Sequence, residues 1–161
     1  MDPRIVTLAN ILRLNTRLFR NCLESFGDEA ATQRPSAATN SASFVAAHLT
    51  DSRFFLLRVV GSEVANPLAP YLAAARSIDE ITQLPPLDET LAAWTTTAHA
   101  IRDRLDTLTA AELDGPPSAS FPAAGQTMLG ALTFLVQHDS YHLGQLAYLR
   151  KYAGLPAMRY T

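Results

Sequence analysis

The sequence predicts an all-α protein, a four-helix bundle, and three observations lead there. Apolar residues recur at helical spacing in four long segments. Proline and glycine gather between those segments rather than within them. No stretch shows the alternation of a half-buried strand. With 161 residues the chain has the length of one domain, 1–161, and can bury a substantial core.

In the first segment Ile5, Leu8, Ile11, Leu12, Leu18, Phe19, Cys22, Leu23 and Phe26 share a stripe, and Gly27 is placed to cap its end. The second opens behind Thr39, Asn40 and Ser41, any of which can cap a helix. It carries Phe44, Val45, His48, Phe55, Leu56 and Val59 and stops at Gly61. The third has the cleanest seam, with Leu87, Leu91, Trp94, Ala98, Ile101, Leu105 and Leu108 in alternating steps of four and three. The fourth begins near Thr127, after Pro122 and Gly125, and ends at Gly154 with Pro156 beyond. Its inner face is expected to hold Ala131, Phe134, Leu135, His138, His142, Gln145 and Leu149.

Polar and small residues over 28–39 join the first two helices. The links between helices two and three and between three and four are long and proline-rich. The former carries Pro67, Pro70, Pro85 and Pro86, with short helical turns expected around 71–75 and 79–84. Pro116, Pro117 and Pro122 punctuate the latter. Such links permit neighbouring helices to run parallel.

A net charge of −2 argues against a nucleic-acid partner, which demands a basic face. No apolar run reaches the roughly 20 residues of a membrane span. The N-terminal residues lack a signal-peptide pattern. A soluble cytoplasmic protein is the expectation. Cys22 is the single cysteine, read as a small buried hydrophobe.

His138 and His142 lie four residues apart, so both imidazoles share one helix face. Merely structural histidines there would each need a buried hydrogen-bond partner. His48 points inward between Phe44 and Phe55 on the second helix. Alone it reads as a core histidine. Beside the pair it becomes a natural third ligand, because catalytic zinc takes three protein ligands and keeps one position open. His99, one residue past the seam at Ala98, is turned toward solvent and is not expected to ligate.

Three further polar residues are candidates for supporting or substrate-contacting roles. Gln145 faces the same way as both histidines of the pair. Asp51 could hold the other nitrogen of His48, or pair in solvent with Arg53 or Arg58. Asn15 interrupts the apolar stripe of the first helix and must bond something. Trp94 and Tyr141 read as core or pocket wall.

The run His138-Asp-Ser-Tyr-His142-Leu-Gly-Gln145, with His48 upstream in a capped second helix and the four-helix layout, resembles the DinB-like (DinB/YfiT) superfamily. The resemblance covers nearly the whole chain. It implies a bundle with a parallel central connection, three histidines holding a divalent metal such as zinc or nickel, and frequent homodimers. Characterised relatives include S-transferases that use bacillithiol or mycothiol and a maleylpyruvate isomerase, in which the metal lowers the pKa of a thiol cofactor.

The leading functional expectation is a metal-dependent enzyme transferring a low-molecular-weight thiol to a small electrophilic substrate. Metal-dependent hydrolysis is an alternative, but a zinc peptidase places Glu directly after its first histidine, where this chain has Asp139. A metal- or small-ligand-binding stress-response bundle without catalysis is the reading from a different class. A homodimer is also expected, because the first helix sets Ile11 beside Leu12 and Leu18 beside Phe19, and the second adds Phe54 and Leu57, more apolar positions than one stripe needs.

Overall fold

The computed structural model describes residues 1–72, 77–118, 121–122 and 125–160. They form seven α-helices and two 3-10 turns and, among the described residues, no strand: α1 (Val6–Leu23), α2 (Asp28–Thr32), α3 (Ala42–Val59), α4 (Ala69–Leu72), α5 (Leu87–Thr107), α6 (Ala110–Asp114) and α7 (Met128–Tyr152). The all-helical expectation holds. The linker over 28–39 contains α2, and the turns expected at 71–75 and 79–84 correspond to α4 and the 3-10 turn Ile78–Glu80. The part of the first turn over 73–75 lies outside the described residues.

Local chemistry explains most helix ends. The Ser41 hydroxyl accepts from the Phe44 N–H at 3.2 Å and starts α3. Thr127 Oγ1 accepts from the Gly130 N–H at 3.1 Å and starts α7. Gly61 and Gly154 take φ values of +74° and +77°, which reverse the chain past α3 and α7 at no steric cost. The end of α1 departs from expectation. Gly27 is extended and caps the start of α2, while the left-handed turn falls on Ser25, with φ +63°. Nothing in the one-dimensional pattern distinguished the two.

The four long helices form a ring in the order α1–α7–α3–α5. Cross-helix contacts give their directions. Ser52 and Arg53 face His138 and Asp139 while His48 faces His142, so α3 and α7 run antiparallel. Arg53 lies over Trp94 and Arg104 donates to the Val60 carbonyl, so α3 and α5 run parallel. The long link between them makes that direction possible.

Two apolar clusters occupy opposite ends of the ring. One holds Leu12, Phe54, Leu57, Ile101, Leu105 and Leu132. The other holds Phe19, Cys22, Val45, Leu49, Trp94 and Leu146. Between them, Asn15, Arg53 and Asp139 make a buried polar layer, at the same level of the bundle as the histidines. Of the apolar positions that suggested a second subunit, Leu12, Leu18, Phe19, Phe54 and Leu57 are buried within the chain and Ile11 is half-buried. Among the described residues, no helix is long and apolar enough to cross a membrane.

Candidate metal centre

Helix α7 sits on the bundle in a rotation that differs from the expected one. Its buried stripe runs through Leu132, Leu135, Val136, Asp139, Leu143, Leu146 and Arg150. Phe134, His138, His142 and Gln145 are therefore half-buried along the edge facing α3 rather than deep in the core. That position leaves the imidazoles shielded but reachable.

His48 from α3 meets His138 and His142 there. The His138 Nε2 atom lies 3.3 Å from Nε2 of His48 and 3.1 Å from Nε2 of His142. One nitrogen from each ring falls within 4.8 Å of the others. The rings meet edge to face, with His48 and His142 centroids 4.7 Å apart. Phe44 stacks on His48, Phe134 tilts against His138 and Tyr141 meets His142, so aromatic surfaces surround the group.

Burial disfavours the imidazolium form of all three rings. It pushes His48 and His138 down from the usual 6.5 to about 4, with repulsion from the neighbouring imidazoles adding to the effect. His142 is also lowered by burial, opposed by its bond to Gln145 and by the Asp139 charge. Near neutral pH all three present lone pairs. Neutral imidazoles converging through Nε2 are the donor set a divalent ion takes.

Supporting contacts set the tautomers. His142 Nδ1 lies 2.7 Å from Gln145 Oε1, and because that oxygen only accepts, the ring proton sits on Nδ1 and Nε2 is free. Gln145 also donates to the Tyr141 hydroxyl at 3.2 Å. Ser52 Oγ lies 3.2 Å from His138 Nδ1 and can play the same part. Sequence reasoning missed Ser52. The signal was its place four residues after His48, on the same face of α3.

The other candidates go elsewhere. Asp51 does not reach His48; its carboxylate accepts from the Asn66 amide at 2.6 Å, and burial pushes its pKa up. Asn15 donates to Ser140 Oγ at 3.0 Å and also supports Asp139, so it serves the polar layer. Arg53, read as a surface partner, is buried and donates to Asp139 through Nε at 2.9 Å and Nη2 at 2.7 Å. Asp139 is thereby committed to Arg53, one residue away from the ligand face. Trp94 is fully buried, stacked on Phe19 with centroids 3.9 Å apart. Tyr141 is exposed at the rim of the site, and His99 is exposed and apart from the cluster.

A cavity of about 500 Å³ adjoins the edge of the site at Tyr141 and Gln145, which line it together with Val45, Gly144 and Tyr148, while none of the three histidines does. Among the described residues its lining carries no charged side chain.

An all-helical chain whose two longest-separated histidine segments close on one point defines a class of histidine-centred helical bundles. The chain belongs to the DinB superfamily, which it matches over residues 11–146. A DinB-like protein from Bacillus cereus shares its fold with a TM-score of 0.73 at 18% identity, covering 94% of each chain. A conserved protein from Enterococcus faecalis aligns with a TM-score of 0.75 at 12% identity, over 95% of this chain and 98% of that one. No curated protein matches the sequence.

Proposed function

We propose that this protein is a divalent-metal-dependent enzyme, using zinc or nickel, that transfers a low-molecular-weight thiol to a small electrophile. The convergence of three neutral Nε2 donors within 4.8 Å carries the metal reading. His48, His138 and His142 hold the ion, which when bound supplies Lewis acidity and lowers the pKa of a coordinated group. Gln145 and Ser52 keep the imidazole lone pairs aimed at one point. Phe44, Phe134 and Tyr141 exclude water, and the uncharged cavity beside Gln145 receives an uncharged, partly apolar substrate.

Transfer is favoured over hydrolysis because Asp139, the carboxylate nearest in sequence to both α7 histidines, is tied to Arg53. It is not free to serve as a general base. Association into a homodimer belongs to the same reading, and a single sedimenting species of 17.5 kDa overturns that part of it.

Elemental analysis of the purified protein tests the metal. The wild type and His99→Ala are expected to carry stoichiometric divalent ion and His142→Ala none, whereas equal loss in both variants overturns the assignment. Thermal shifts and thiol-consumption assays with bacillithiol, mycothiol and glutathione then test the transferase. A metal-loaded protein that engages none of them is a binding bundle rather than a thiol transferase.

A further inference from the structure

Away from the histidines, α1 and α5 part to leave a second cavity of about 320 Å³. Leu12 and Ile101 contribute apolar wall. The charged lining is basic, with Arg13, Arg20, Arg53 and Arg102, and among the described lining residues there is no Asp or Glu. Four arginines around one cavity, in a chain of net charge −2, concentrate positive potential at this place.

The arginines are unequally engaged. Arg20 spans the cavity to the neutral Thr95 hydroxyl at 2.6 Å. Arg102 pairs with its exposed neighbour Asp103, a contact that water screens. Arg13 has no ion-pair partner among the described residues. Arg53 is the buried one. Of its five N–H groups, two go to Asp139, one to the Leu12 carbonyl and one, from Nη1, to Thr16 Oγ1 at 2.8 Å. Nη1 thus keeps a second hydrogen that no acceptor among the described residues takes, on a side chain that lines the cavity.

We propose that this cavity binds a small organic carboxylate, with its oxygens between Arg13 and Arg53 Nη1 and its hydrocarbon body on Leu12 and Ile101. A planar carboxylate suits guanidinium donors, and the apolar wall distinguishes an organic acid from a bare oxyanion. The proposal does not rest on the function proposed for the histidine centre.

Trp94, the single tryptophan, reports on the cavity, because the Arg53 guanidinium carbon lies 3.5 Å above its ring. The full-length chain is titrated with hexanoate, hexanol and inorganic phosphate, following tryptophan fluorescence and heat. Hexanoate is expected to saturate, to bind at least tenfold more weakly to the exposed-site variant Arg13→Gln, and to bind His142→Ala as it does the wild type. A tenfold loss corresponds to about 1.4 kcal/mol, close to the lower end of what a charge-assisted hydrogen bond contributes. Five results overturn the proposal: no saturable binding, equal affinity for hexanol, equal affinity for phosphate, binding unchanged in Arg13→Gln, or binding lost in His142→Ala. The last would place the carboxylate at the histidines.

Discussion

Arg53 donates twice to the same oxygen of Asp139, through Nε at 2.9 Å and Nη2 at 2.7 Å, and both side chains are almost completely buried. The pair joins α3 to α7 one residue beyond the contact between Ser52 and His138, so it fixes the register in which His48 meets the α7 histidines. Burial alone pushes the Asp139 carboxyl up and the Arg53 guanidinium down, and each ion is kept by the other. Trp94 beneath the guanidinium adds a cation–π contact.

Removing one partner of this pair strands the other. Asp139→Ala is expected to lose about 3–5 kcal/mol of stability by urea denaturation. Arg53→Met combined with Asp139→Leu removes both charges and should cost less than Asp139→Ala alone. A double variant as unstable as the sum of its singles contradicts the uncompensated-charge explanation.

Gln145 bonds His142 Nδ1, so its influence on a bound metal would pass through that ring. Gln145→Ala is expected to weaken divalent-ion affinity by about 10–100-fold without changing stoichiometry, as loss of such orienting partners typically does. A competition titration against a chromophoric chelator measures it, and unchanged affinity removes Gln145 from the site.

Metal-free protein should lose stability on acidification below neutrality. The folded chain keeps His48 and His138 neutral down to about 4, whereas in the unfolded chain they titrate near the usual 6.5. Between those values the unfolded state binds more protons, so stability falls as pH drops from about 6.5 toward 4. Replacing His48 with Gln should flatten this slope in pH-dependent urea melts. A slope unchanged by the replacement assigns the effect to other groups.

Chelation should lower the melting temperature and leave helical circular dichroism intact at room temperature. An ion held by the three histidines would stabilise the folded state by mass action, while the two apolar clusters hold the bundle without it. Loss of helicity on adding chelator would show that the ion is needed to fold.

Two glycines of α7 should respond oppositely to alanine. A Cβ at Gly130 would stand 2.3 Å from the Gly125 carbonyl oxygen, so Gly130→Ala is expected to destabilise by about 1–3 kcal/mol. Gly144 has nothing within 4 Å of an added Cβ and sits inside the helix, so Gly144→Ala should stabilise by up to about 1 kcal/mol. Thermal denaturation of the two variants separates close backbone approach from simple helix propensity.

What the sequence by itself determined was set by short-range rules. The four long helices follow from apolar spacing, and the ends at Ser41, Thr127, Gly61 and Gly154 follow from capping and left-handed backbone chemistry. The candidate histidines were legible because four-residue spacing places two rings together before any packing is known. Only the tertiary structure decided the rotation of α7, because helical period locates a face without saying which edge of it a neighbouring helix will cover. It also decided that Arg53 and Asp139 go inside. Charged residues read as solvated until a partner 86 positions away arrives to compensate the burial of both. Ser52 acquired its place beside His138 by the same route, since a partner 86 positions away is chosen by three-dimensional approach and not by the pattern of one helix, whereas Gln145 meets His142 three residues away on the same helix, a contact legible in the spacing.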